Sequence, residues 1–382
     1  MRSELIDLID FSKDLYKNLD YIPLHAPCFL GNEKKLVNDC LDSTFVSSVG
    51  KYVDKFENEL AHFLGVKHVV ATSSGTSALH IALILAGVER SSEVITQSLS
   101  FVATCNAINY CGANPIFIDV DMKTLGMSAD SLLDFLNNHA KIENGICINK
   151  LSNKIISACL PMHTFGQPCE IDKIKEICDS WCLPLVEDAA ESLGSQHKDR
   201  YTGTFGLAAA VSFNGNKIIT GGGGGAILTN DTALAIKAKH LTTTAKIQHK
   251  WEFRHNDIGY NYRMPNLNAA LLCAQLEQLP DFINNKRDTA KKYSLFCKEN
   301  KIEFVNESVD SRSNYWLNTL LLNNLEEKLE FLEYANNHGL MSRPCWVLMN
   351  ELTMYKNCFS LPQINAKFLS ERLVNIPSSV IL

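Results

Sequence analysis

Between residues 54 and 230 short apolar runs alternate with stretches of helical period. The runs fall at 69–72, 93–96, 115–120, 155–161, 183–187, 208–213 and 226–229. The helical stretches fall at 54–64, 76–87, 101–110, 128–138 and 172–181, with Ser128 and Asp130 placed to cap one of them. Strands apolar on both faces need cover above and below, and intervening helices supply it. The expected fold is therefore α/β, with a mixed, mostly parallel sheet. Ligands in such folds gather beyond the carboxyl ends of the strands.

After residue 262 the pattern changes. A helix is expected from Met264-Pro265, where proline suits the first turn, to about Leu279, with Pro280 interrupting it. Shorter α and β segments follow. The reading is two domains: residues 1–262, an N-terminal arm with a large domain, and residues 263–382, a smaller α/β domain.

A chain of 382 residues, 46% hydrophobic and 20% charged, can bury a large core. The net charge of −6 gives no basic field for nucleic acid. Thirteen cysteines lack metal-ligand spacing; Cys178 and Cys182 stand closest, with no second pair, so no metal is expected. Acids sit in Met1-Arg-Ser-Glu-Leu-Ile-Asp7 where a signal peptide would be apolar, and no run reaches membrane-spanning length. The expectation is a cytoplasmic protein with reduced thiols and no membrane partner.

Four features fall at strand ends. Ser73-Ser-Gly75-Thr76-Ser follows a strand and opens a helix, where free N–H groups and the helix dipole favour an anion; an ordinary helix cap has the same composition. Leu183-Pro-Leu-Val-Glu187-Asp188 ends a strand in two carboxylates, which alternation sends to opposite faces. Ser212-Phe-Asn-Gly-Asn-Lys217 puts an amine just beyond a buried strand, where an unprotonated lysine can attack an aldehyde. Glycines 221–225 precede a strand instead of following one, so they are not a dinucleotide fingerprint and read as a flexible or tightly turned loop.

In this order the features resemble the DegT/StrS sugar aminotransferases, which share the type I pyridoxal-phosphate (PLP) fold of aspartate aminotransferase. The carriers are Ser74-Gly-Thr-Ser-Ala-Leu-His80, Phe101-Val-Ala-Thr104, Gly112-Ala-Asn-Pro-Ile-Phe-Ile-Asp-Val120, His163-Thr-Phe-Gly-Gln-Pro168, Glu187-Asp-Ala-Ala190, Ser212-Phe-x-x-x-Lys217 and Gly259-Tyr-Asn-Tyr-Arg-Met264. The resemblance implies PLP held by Lys217 as a Schiff base, with Asp188 against the pyridinium nitrogen and Phe101 stacked on the ring. It implies a phosphate cradle of Gly75, Thr76 and Ser212, and Glu191 near the phenolic oxygen. Asn261 would reach the phosphate of a neighbouring subunit, making a homodimer the smallest competent unit.

Other stretches resemble the aminotransferases of the legionaminic-acid pathway: Phe29-Leu-Gly-Asn-Glu33, the segment from Ser43 to Val53, Tyr315-Trp-Leu-Asn318 and Asn375-Ile-Pro-Ser-Ser379. This subgroup implies a UDP-linked 4-keto-6-deoxy-2-acetamido sugar aminated at C4, with L-glutamate as donor. Arg254, Arg263, Lys286 and Arg343 are candidate partners for the nucleotide's phosphates; His163 is a candidate contact to PLP or sugar that serves equally as a structural histidine, and Trp316 and Trp346 are candidate sugar platforms, although such tryptophans are more often core.

Two departures bear on the sugar. Asn350 stands where the family's Pro-x-His motif has histidine, and Glu191 replaces a commoner glutamine. The rival readings are a PLP-dependent sugar dehydratase, whose relatives carry histidine at the position of Lys217, and a non-catalytic PLP- or sugar-binding regulator, which need not keep both Lys217 and Asp188.

Overall fold

The computed structural model describes residues 2–381. It opens with helices α1 (Ser3–Leu15), α2 (Glu33–Ser43) and α3 (Lys51–Leu64). The alternation then runs β1 (His68–Thr72), α4 (Gly75–Leu85), β2 (Glu93–Gln97), α5 (Val102–Tyr110), β3 (Asn114–Ile118), α6 (Ala129–His139), β4 (Ile156–Leu160), α7 (Ile171–Ser180), β5 (Val186–Asp188), β6 (Ala208–Ser212), β7 (Gly225–Thr229) and α8 (Thr232–Thr242). Every expected strand and helix of this stretch is present. A short hairpin, Ala140–Glu143 with Ile146–Asn149, was not foreseen.

Strands β3, β2 and β4 form one parallel ladder, and β5, β6, β7 and β1 a second. Bridges Cys159↔Leu185 and Met162↔Asp188 join the ladders through β4 and β5. Only β7 runs antiparallel to its neighbours β6 and β1. The sheet is mixed and mostly parallel, as the apolar runs imply.

Alternation divides the strand residues between two cores. Val69, Ala71, Ala209, Val211, Ala226 and Leu228 face α3 and the long helix described below. Val70, Ala208, Ala210 and Ile227 face α4 and α8. The helices begin where local chemistry allows. Ser74 accepts from Ser77 N–H at 3.0 Å to cap α4, Ser128 caps α6 through Ser131, and Asp231 caps α8.

Helix α9 (Asn266–Glu299) corrects the expected break: it passes through Pro280 without ending. Proline in a helix interior costs about 3 kcal/mol. Leu272, Leu276, Leu279, Phe282 and Ile283 bury on the large core on both sides of it, and each such side chain gains roughly 1.5–3 kcal/mol. Packing outweighs the lost hydrogen bond. Beyond α9 come β8 (Glu303–Phe304), β9 (Asn318–Leu321), α10 (Leu325–Asn337), β10 (Arg343–Pro344) and β11 (Leu373–Ile376). The four strands make an antiparallel sheet in the order β8-β9-β11-β10. Its core takes Leu5, Leu8 and Ile9 of α1 together with Tyr293 of α9 and Phe331 of α10, so the first helix packs with the carboxyl-terminal sheet.

Candidate active site

A cavity of about 440 Å³ opens at the carboxyl ends of β1, β5 and β6. That size is ordinary for a small-molecule site. Gly75, Thr76, Phe101, Asp188, Glu191, Ser212, Lys217 and Trp316 all line it. These eight come from five separate stretches of sequence, and the fold brings them to one wall.

Lys217 follows β6 on a tight loop: its N–H donates to Asn214 O at 3.0 Å, and Phe213 N–H to Gly224 O at 2.9 Å. Its side chain is 11% exposed, with Nζ 3.4 Å from Glu191 Oε1 and 4.0 Å from the centre of the Trp316 ring. Trp316 is held by its indole N–H, which donates to Asn216 O at 2.7 Å. Glu191 also accepts from Phe165 N–H at 2.9 Å. Burial, against the pull of the nearby Lys217 charge, raises the Glu191 carboxyl to about 7.

Asp188 ends β5. Thr104 Oγ1 donates to its Oδ2 at 2.7 Å and Ala190 N–H to its Oδ1 at 3.1 Å. Burial raises its pKa, opposed by these two donors. A carboxylate so buried is stabilised by any cationic group that enters the cavity. Glu187, its neighbour, faces the other way, as alternation requires. It accepts from the N–H groups of Gly203, Phe205 and Gly206 and pairs with His163 Nε2 at 3.2 Å.

The third part is the start of α4. Its first-turn N–H groups have no helical acceptors and face the cavity beside Ser212. The approach is close: a Cβ on Gly75 would lie 2.7 Å from Ser212 Cβ, and one on Gly225 would lie 2.4 Å from the Ser74 carbonyl carbon. Gly223 and Gly224 also line the cavity, and Gly224 has φ +135°. The glycine run expected as a flexible or tightly turned loop is thus part of the site, and at Gly224 and Gly225 a side chain would not fit.

This donor set fits PLP: an anion cradle at one side, a buried carboxylate at another, an amine between, and the Phe101 ring in the wall. Trp346, a candidate sugar contact, lines the cavity beside Trp316, and so do Ser73 and Asn216, for which the sequence suggests no individual role.

Other expected contacts lie elsewhere. His163 is fully buried behind Asp188, its N–H donating to Asp188 O at 3.2 Å, and it does not line the cavity. Burial opposes its protonation, but Cys169 and Glu187 outweigh that and raise it to about 10. It bears on the site only through Asp188. Lys286 is buried and donates to the carbonyls of Trp316 and Ser378, so it is a structural link and no phosphate partner. Arg254 is exposed and pairs with Glu252. Arg263 lines two outer clefts, and its Nε is buried without a partner. Arg343 lines a cavity next to that of Lys217. Asn261 bridges to Thr243, away from this chain's own cavity. Asn350 lies in a 3-10 turn, Met349–Glu351, outside the cavity wall.

Comparison with known proteins places these features in context. Residues 27–382 match the model of the DegT/DnrJ/EryC1/StrS aminotransferase family. The chain is 38% identical to the GDP-perosamine synthase of Escherichia coli O157:H7 over 94% of each chain. It is 35% identical to the GDP-perosamine synthase of Vibrio cholerae, again over 94% of each. Among solved structures it resembles Helicobacter pylori PseC, an aminotransferase involved in the biosynthesis of pseudoaminic acid. That likeness has a TM-score of 0.84 at 25% identity over 94% of this chain and 93% of the other.

Proposed function

The chain belongs to the DegT/DnrJ/EryC1/StrS aminotransferase family and is a PLP-dependent sugar aminotransferase, and from that premise we propose that it transfers an amino group from glutamate to the 4-keto carbon of a GDP-linked 6-deoxy sugar. The observation that carries the reading is that Lys217 and Asp188, distant in sequence, line one cavity with the start of α4. Two relatives named as GDP-perosamine synthases favour guanosine as the nucleotide. The UDP-linked 2-acetamido sugar of the legionaminic-acid enzymes rests on shared sequence stretches alone and is the alternative.

Bound PLP supplies a carbon that condenses with amines and a ring that withdraws electrons from it. Lys217 Nζ, in the cavity wall, would reach that carbon and would move the proton at the substrate's reacting carbon. Asp188, fixed by Thr104 and Ala190, would hold a proton on the ring nitrogen and so favour electron withdrawal. The α4 turn and Ser212 would hold the phosphate, with Phe101 in the cavity wall beside the ring. Glu191, whose carboxyl titrates near neutrality, would present a donor to the phenolic oxygen when protonated. The presence of Lys217 argues against the dehydratase.

Two measurements test this. PLP-loaded protein is incubated with L-glutamate and a GDP-linked 4-keto-6-deoxy sugar, then with the UDP-linked 2-acetamido counterpart. Mass spectrometry should find 2-oxoglutarate and an aminated GDP-sugar; no 2-oxoglutarate with either sugar would favour the regulator. Borohydride reduction followed by peptide mapping should place the pyridoxyl mass on Lys217. A label on another lysine would refute the assignment.

A further inference from the structure

A second cavity, of about 390 Å³, abuts that of Lys217, and Asn216, Trp316 and Trp346 line both. His25 forms part of its wall. The segment carrying His25 is pinned to the end of the chain: Ser378 N–H donates to Leu24 O at 2.8 Å, and Ala26 N–H donates to Ser379 Oγ at 2.8 Å.

Both ring nitrogens of His25 are shut off from solvent, and neither has a hydrogen-bond partner. Buried polar groups in folded proteins are nearly all paired, so an orphan beside a cavity calls for a ligand to pair it. Burial, then the Lys286 and Lys217 charges, holds the His25 pKa well below the usual histidine value. At neutral pH the ring therefore offers one N–H donor and one bare acceptor nitrogen.

A neutral imidazole does not select carboxylate or phosphate, which favour cations. It matches hydroxyls, which both accept and donate. The surroundings suit a sugar: two tryptophans supply apolar surface, Asn216 and Asn375 supply amides, and Arg343 stands in the same wall for an anionic group. We propose that His25 is a specificity-determining residue that reads hydroxyls of the acceptor sugar in this side cavity next to Lys217. The inference rests on the amination of a nucleotide-linked sugar proposed above and says which pocket takes the sugar ring.

Calorimetric titration of the PLP-loaded protein tests it, with GDP-perosamine, a UDP-linked 4-amino-2-acetamido sugar and the matching free nucleotides as probes. His25→Leu should weaken the amino sugar that the wild type binds by about tenfold or more, the worth of a good hydrogen bond to a buried group. Free-nucleotide affinity should change by less than about threefold, and His25→Gln, which keeps a donor and an acceptor, should recover most of the loss. Equal amino-sugar affinity in wild type and His25→Leu overturns the subsite alone. If His25→Leu fails to fold, the wild type decides: the His25 ring resonances must shift on saturation with amino sugar, and unmoved resonances overturn the proposal. Binding of neither amino sugar by the wild type overturns the amination reading, and the subsite falls with it.

Discussion

Three ionisable groups, Lys217, Asp188 and Glu191, line one cavity, and at the scale of single residues the proposed chemistry rests on them. Glu191 yields a prediction with a definite sign. Its carboxyl ionises near 4.5 unfolded and at about 7 in the native chain. The native state therefore holds the extra proton across that window, and the stability this confers is present at the acid end. It is lost as pH rises through about 7, on the order of 3 kcal/mol. In the apoprotein, Glu191→Gln should flatten this slope, so that the variant gains melting temperature over wild type between about pH 5 and pH 8. Parallel melting curves across that range would sink the idea. Asp188→Asn keeps the shape but removes the charge. Turnover should drop about a hundredfold or more with the melting temperature little changed; a drop of only a few-fold would show that the carboxylate does not act on the ring.

At the scale of elements, close approach and packing compete with backbone preference. The α4 turn works because Gly75 lets it meet Ser212. Gly75→Ala forces a shift, with an expected loss of about 1–3 kcal/mol in stability and a weaker PLP affinity. Denaturant unfolding and a fluorescence titration with PLP read the two effects; unchanged cofactor affinity would separate the turn from the phosphate. Helix α9 carries the opposite lesson, since Pro280 stays in it only because both flanks are buried. The residue is exposed, so Pro280→Ala should raise the urea midpoint by the equivalent of about 1–3 kcal/mol, less a few tenths for the freer unfolded chain. A lowered midpoint would show that the helix needs the kink.

On the whole molecule, exposed apolar side chains gather near the segment that carries Asn261. Trp251 is 73% exposed, Phe253 79% and Ile258 80%. A surface like this is stable when covered, and the covering expected here is a second copy of the chain, bringing Asn261 to its neighbour's phosphate. Sedimentation at micromolar concentration should give a dimer, and Phe253→Glu with Ile258→Glu should weaken it. A wild-type monomer that carries full activity would remove Asn261 from the site.

Sequence alone carried the alternation of strands and helices, the caps at Ser74 and Ser128, and the motif order that marks Lys217 and Asp188. All of these are local: a helix cap, a strand's period and a short motif each lie within a few residues. The uninterrupted α9, the glycine run against α4, Trp346 in the cavity wall and the withdrawal of His163 and Lys286 from it were decided by tertiary structure. So was the pairing of His25 with a cavity whose other walls, Leu24 apart, come from residues more than 100 positions away. Each depends on which distant atoms meet and how much surface they bury, and no stretch of sequence carries that information by itself.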